Sequence, residues 1–186
     1  PIMKKYLVLL ALPALLLSSC SQTVDLAIDN PTKFDLEIMV DTLRVSVPPK
    51  EVVWVEMGPG EHKLTLENDS VIKYNFTEPV YMINASLSEY LVTDEYYGPP
   101  MYEDSYVSTL PNKEITYLGI PMEGNFDVVR DVINKVTWDY GPREDLPGMV
   151  EVDADESYTT LVKVYDPREF MDLMQNAYDN YSEDEE

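Results

Sequence analysis

Between Phe34 and Val40 every second residue is apolar. Phe34, Leu36, Ile38 and Val40 fall on one side of an extended chain, and Asp35 and Glu37 on the other. A period of two suits a strand with one face in a core and one in water. Similar short runs mark 23–29, 43–47, 52–57, 62–67, 71–76 and 80–84 as strands. Turn-forming groups separate them: Asn30-Pro31, Pro48-Pro49, Gly58-Pro59-Gly60 and Asn68-Asp69. Strands roughly 8–12 residues apart with such punctuation predict an antiparallel β-sandwich or an open barrel.

The rhythm breaks after Tyr97. Gly98 beside the adjacent Pro99 and Pro100 predicts a loop over 99–112. Beyond it, 114–118 and 158–165 read as strands, 140–148 as loop, and VVRDVINKV (128–136) as either a strand or a short helix. The C-terminal helix is better marked. Asp166 suits the N-cap, Pro167 the first helical position, and Glu169 the capping-box spacing. Phe170, Leu173, Met174, Ala177, Tyr178 and Tyr181 then form a stripe expected to face the core, ahead of an acidic tail over 183–186. The expected class is mainly β, α+β overall. A β-rich module over 20–98 and an α+β part over 113–186 form one layered unit, with the helix packed on the sheet.

Residues 1–19 stand apart from this pattern. Lys4 and Lys5 precede an apolar run from Tyr6 to Leu17, and Ser18-Ser19 follow it, the layout of a secretory signal. The run falls short of the roughly 20 apolar residues a membrane-spanning helix needs, and Pro13 interrupts it. Leu17-Ser18-Ser19-Cys20 resembles a bacterial lipobox. The resemblance implies cleavage before Cys20, a lipid on its sulfur and an acylated new N-terminus; the alternative is an ordinary buried thiol after a plain secretory signal. Several acyl chains anchor far better than one, at about 0.8 kcal/mol per buried CH₂. Ser21 stands where an Asp would retain such a protein at the inner membrane. The resemblance therefore implies the outer membrane. With Asp25 as the single acid close behind, it favours the periplasm-facing side over the cell surface.

Cys20 is the only cysteine, so no disulfide braces the fold. The formal net charge is −22, and removing Lys4 and Lys5 makes it more negative still. Such a surface repels nucleic acid and anionic headgroups and tolerates cationic partners or divalent ions, although solubility in a crowded envelope is the better explanation of it. Tyrosine, at 14 residues against 4 phenylalanines, suits sheet faces that are covered while the hydroxyl stays wet.

Several short elements carry a further likeness. Asp29-Asn30-Pro31-Thr32 precedes a strand, and Gly58-Pro59-Gly60-Glu61-His62-Lys63-Leu64 forms a turn and strand. Ile83-Asn84-Ala85-Ser86, Tyr97-Gly98, Trp138-Asp139-Tyr140-Gly141 and Leu146-Pro147 follow. Together they resemble an uncharacterised family of bacterial envelope lipoproteins built on small β modules. That resemblance implies fold and location, and no activity.

Signatures of catalysis are missing. The chain has no HExxH, no Cys/His cluster, no GxSxG elbow and no phosphate-cradling glycine loop. His62, the only histidine, reads as a solvated hairpin residue before it reads as a ligand or base. Paired acids such as Asp94-Glu95, Glu103-Asp104 and Glu144-Asp145 are too numerous to single out a glycosidase-type pair. Asp153, Asp155 and Glu156 are the best candidates for a hard cation such as Ca²⁺, against a solvated acidic turn. No other cofactor is expected beyond the covalent lipid. Tyr96, Tyr97, Tyr102 and Tyr106 flank the proline pair and offer a recognition surface, unless the rings fold back onto the core.

The leading expectation is a lipid-anchored, non-catalytic module that binds an envelope protein or serves a structural role. Its rivals are an accessory lipoprotein binding a small ligand or glycan through the tyrosines, and a carboxylate-dependent hydrolase.

Overall fold

The computed structural model describes residues 22–153 and 155–183, with side chains through residue 176. Cys20 and its neighbours Leu17, Ser18 and Ser19 lie outside the described residues, as do the rest of residues 1–21 and the tail beyond Glu183. The side chains of Ala177, Tyr178 and Tyr181 lie outside them too.

Strand β1 (Val24–Asp29) pairs antiparallel with β4 (Val52–Met57) and parallel with β7 (Val80–Asn84), and β12 (Ile133–Lys135) closes this first sheet beside β7. A second sheet is antiparallel throughout, in the order β3 (Leu43–Val47), β2 (Leu36–Val40), β5 (Gly60–Thr65), β6 (Val71–Phe76). Their facing sides share one core, with Leu26, Ile28, Tyr81 and Ile83 against Ile38, Val47, Leu64 and Phe76. Phe76 meets Tyr81 edge to face, with centroids 4.9 Å apart. Each large side chain buried here contributes about 1.5–3 kcal/mol. The sandwich expected from the alternation is present, and no barrel closes.

The outward face of the first sheet is also partly covered. Met82 packs with Tyr90 and Val164 of a third sheet, ordered β11 (Phe126–Val129), β8 (Tyr90–Tyr97), β13 (Thr159–Tyr165). Strand β7 is thus covered on both sides, and its run YMIN does not alternate. Alternate residues of the third sheet, Leu91 and Tyr165, turn away into another core. There they meet Tyr117 of the hairpin β9 (Lys113–Tyr117)–β10 (Ile120–Gly124) and Phe170 of helix α2 (Pro167–Glu183).

Several expectations change. Residues 100–107 form helix α1 (Pro100–Val107) where the proline pair predicts a loop. Pro100 occupies the first turn, where its fixed φ suits a helix and its missing N–H costs nothing, so the pair starts a helix instead of breaking one. VVRDVINKV divides into β11 and β12 at Arg130, whose guanidinium bonds Glu89 Oε1 and the Thr116 carbonyl, each at 2.7 Å. Phe34, expected on the core face, is exposed. Asn30 Nδ2 donates to the Phe34 carbonyl at 2.8 Å, holding 30–34 as a turn before β2 begins.

Helix α2 has the capping box its sequence predicts. Asp166 Oδ1 accepts from the Arg168 and Glu169 amides at 2.8 and 2.9 Å, and Glu169 Oε2 accepts from the Asp166 amide at 3.0 Å. The helix docks through its first turn, where Phe170 meets Tyr117 edge to face. Leu173 and Met174 are about half exposed, so among the described side chains of the stripe only Phe170 is buried in the core.

Candidate functional site

The C-terminal end of β1 carries a carboxylate that water does not reach, since the Asp29 side chain is 1% exposed. Burying such a charge costs several kcal/mol unless partners surround it. Arg143 bonds it through Nη2, and the Tyr90 hydroxyl donates to its Oδ2 at 2.5 Å. The same guanidinium reaches the helix cap through Nη1, 2.6 Å from Asp166 Oδ2. Burial pushes the Asp29 carboxyl upward, against the pull of Arg143 and Tyr90. Burial acts to lower Arg143, but Asp29 and Asp166 outweigh it and hold the guanidinium charged. The Tyr90 hydroxyl is pushed far up, first by burial and then by the Asp29 charge.

Arg143 is also the third residue of a turn that has Pro142 second and that the Glu144 amide closes on the Gly141 carbonyl at 3.3 Å, and its φ of +62 belongs to that turn. The preceding residues are laced onto β13. Lys163 Nζ donates to the Gly141 carbonyl at 2.6 Å, the Val164 amide to the Tyr140 carbonyl at 2.9 Å, and the Val162 amide to Asp139 Oδ2 at 2.8 Å. Gly141 N–H donates to Glu144 Oε2 at 2.7 Å.

This lacing places Trp138 over the outward face of the first sheet. Across that face the register runs Trp54, Ala27, Met82. Ala27 is the small member of the row, and the space above it is a cleft of about 150 Å³. Trp54, Met82 and Trp138 are among its walls, with the acids Asp139 and Glu144 also lining it and no lysine or arginine among the lining residues. Trp54 is 59% exposed and borders this cleft, so the ring and the hollow form one apolar patch. An apolar cleft this small suits a single side chain, since small-molecule sites usually measure about 300–1,000 Å³.

The tyrosines divide. Tyr96, Tyr106 and Tyr158 form a ring cluster with centroids 5.1–5.5 Å apart, and Tyr106 is only 9% exposed. The Tyr97 hydroxyl donates to the Pro147 carbonyl at 2.9 Å, while Tyr102 remains exposed. An open hollow of about 430 Å³ lies beside Tyr96, Tyr97 and Met149. Asp153, Asp155 and Glu156 are exposed around a turn closed by the Glu156 amide and the Asp153 carbonyl, and no group of three potential ligands gathers among the described residues. His62 is less solvated than its hairpin position suggests. It lies within β5, paired with Asp41 and the Gly58 carbonyl.

Sequence reasoning passed over Trp54, Trp138 and Arg143 as site residues. The signal for Trp54 was available, because in VVWVEM the core takes Val53, Val55 and Met57 and leaves the tryptophan on the face expected to be wet. Arg143 left no such trace, since its partners lie over 20 and over 100 positions away. The chain matches no family model, no curated protein and no solved structure.

Proposed function

We propose that this chain is a lipid-anchored protein of the bacterial envelope, a non-catalytic module that holds a protein partner at the Trp54–Trp138 cleft. The observation that carries the binding half of this reading is the cleft itself, a side-chain-sized apolar hollow walled by two tryptophans, one of them largely exposed. Tryptophan is the residue type most enriched where protein interfaces concentrate their affinity. The anchoring half rests on the Lys4–Cys20 segment, and Ser21 favours the outer membrane with the domain in the periplasm. Residues 20–24 span at most about 14 Å, so an anchor on Cys20 keeps the start of β1 close to the bilayer surface.

A glycan or small-ligand reading draws on the open hollow beside Tyr96 and Tyr97. It is weaker because Tyr106 is spent inside the ring cluster and the Tyr97 hydroxyl is already engaged.

Two measurements test the proposal. Cys20→Ala, expressed in a Gram-negative host, should leave the detergent phase for the aqueous phase; if it stays with the detergent, the lipid anchor is wrong. A photo-reactive residue replacing Trp54 should form a discrete protein adduct in the envelope. One replacing the exposed Phe34, in the turn before the opposite sheet, should not. Equal labelling from both positions removes the cleft as a binding site.

A further inference from the structure

The edge of the sheet beside the cleft is open. Strand β4 is the terminal strand of the first sheet, and among the described residues nothing pairs with its outer side. The hydrogen-bond parity is set by two contacts. Asn30 N–H donates to the Glu51 carbonyl at 3.1 Å, and Asp25 N–H donates away from β4, to the Pro79 carbonyl at 2.8 Å. In an antiparallel pair this alternation directs the backbone groups of Val53 and Val55 toward β1 and those of Val52, Trp54 and Glu56 toward the free edge.

Natural sheets guard such edges with lysine, proline, shortness or a covering segment. The other sandwich edges follow that rule. Strand β3 carries Arg44, β6 carries Lys73, and β12 has three residues ending in Lys135. In the third sheet, β13 is covered by the 139–140 segment, bridged at Tyr140. Strand β4, VVWVEM, has six residues, no basic residue and no proline, and its one charge is the acid Glu56.

The charge on this face is equally one-sided. Glu56 stands directly opposite Asp25 in the register, a pairing of like charges that costs stability, and neither makes an ion pair among the described residues. With Trp54 one step along and Asp139 and Glu144 beyond it, an added strand would meet acids on both sides of an aromatic hollow.

Building on the protein-partner reading above, the geometry points to strand addition: an extended, basic segment of the partner pairs with β4. Its alternate side chains lie beside Glu56 and over the exposed ring of Trp54, at the mouth of the cleft. Main-chain hydrogen bonds to Val52, Trp54 and Glu56 supply the register, and cationic side chains supply the selectivity. A lysine or arginine over Trp54 gains the aromatic face as well as the acids. A second copy of this chain is a poorer occupant, since it brings another −22 charge.

The test uses the full chain in detergent and three labelled hexapeptides: Lys-Val-Arg-Val-Lys-Val, its Glu-Val-Glu-Val-Glu-Val counterpart, and the basic peptide N-methylated at alternate amides. Fluorescence anisotropy should show the basic peptide binding at least tenfold more tightly than the acidic one. N-methylation on the pairing edge should cost tenfold or more. Trp54→Ala and Glu56→Lys, both at exposed positions, should each weaken binding at least tenfold, with amide shifts in the wild type at Val52, Trp54 and Glu56. Lack of binding by the basic peptide at millimolar concentration overturns the inference, as does equal binding by the acidic or N-methylated peptide. So does a β4-mediated homodimer in sedimentation. Envelope adducts at position 54 without peptide binding would leave the partner reading standing and remove strand addition alone. Absence of both removes both.

Discussion

His62 Nδ1 lies 2.7 Å from Asp41 Oδ2, while its Nε2 lies 2.9 Å from the Gly58 carbonyl oxygen. Both partners only accept hydrogen bonds, so both ring nitrogens are satisfied at once only by the imidazolium. The Asp41 carboxylate accordingly raises His62, and the contact with His62, with help from the Lys63 amide, lowers Asp41. The raised histidine contributes stability that is fully present below its unfolded value of about 6.5 and is lost as pH rises through the folded value. The lowered carboxyl contributes above its unfolded value of about 3.9 and loses it as pH falls through the folded one. Asp41 is half exposed, so screening limits the pair to about 0.5–1 kcal/mol. Compared with His62→Gln, the wild type should lose roughly 1–4 °C of Tm between pH 6 and pH 8.5. Parallel Tm–pH curves for the two proteins would show that the imidazolium is not held.

Arg143 bridges Asp29 and Asp166, and its removal leaves two buried carboxylates facing each other without a counter-charge. Arg143→Met should cost about 3–5 kcal/mol in urea unfolding at neutral pH. Asp29, already pushed up by burial, would then rise further. A raised acid penalises folding as pH climbs above its unfolded value, so the variant's deficit should be smallest near pH 4 and grow toward pH 7. Arg143→Lys should recover only part of the loss, because a point charge cannot fork two carboxylates. A deficit that is independent of pH would mean the lost packing of the side chain matters and its charge does not.

Much of the sandwich was legible because alternation is a local property. In β2, Leu36, Ile38 and Val40 report their burial one residue at a time, and Pro48-Pro49 and Asn68-Asp69 mark where the chain must turn. Strand β7 was legible as a strand, but its two-sided burial and its parallel pairing with β1 depend on what covers it, which no window around Tyr81–Ile83 contains. Helix α1 was misread because proline carries opposite meanings at a helix start and in its interior. The cleft was hidden for a related reason. Trp54 and Trp138 lie far apart in the sequence and line one cleft because Arg143 and Lys163 fasten residues 138–144 to β13 and the helix cap.

The four tyrosines around the proline pair should separate sharply by mutation. Tyr106 is buried against Tyr96 and Tyr158, so Tyr106→Ala should cost about 3–5 kcal/mol, the range for deleting a buried ring. Tyr102 is 41% exposed, and Tyr102→Ala should stay within about 0.5 kcal/mol. Chemical denaturation of the two variants gives the comparison directly. Equal costs would mean that the ring cluster does not brace the third sheet.

Helix α2 carries its own contrast along one face. Phe170 is 5% exposed and seated on Tyr117, whereas Leu173 and Met174 are about half exposed one turn later. Phe170→Ala should therefore cost about 3–5 kcal/mol. Leu173→Gln should change stability by less than about 1 kcal/mol, since little apolar area leaves or enters water. The cap at Asp166 is coupled to the rest of the fold through Arg143, so Asp166→Asn should cost more than the roughly 1 kcal/mol of an ordinary N-cap loss. Amide hydrogen exchange provides an independent check. Protection should be high through Phe170 and decline along the following turns in the wild type, and Asp166→Asn should lower it at Arg168 and Glu169 first. If Leu173→Gln destabilises as much as Phe170→Ala, the helix packs along its length in solution, and its first turn is not the sole attachment.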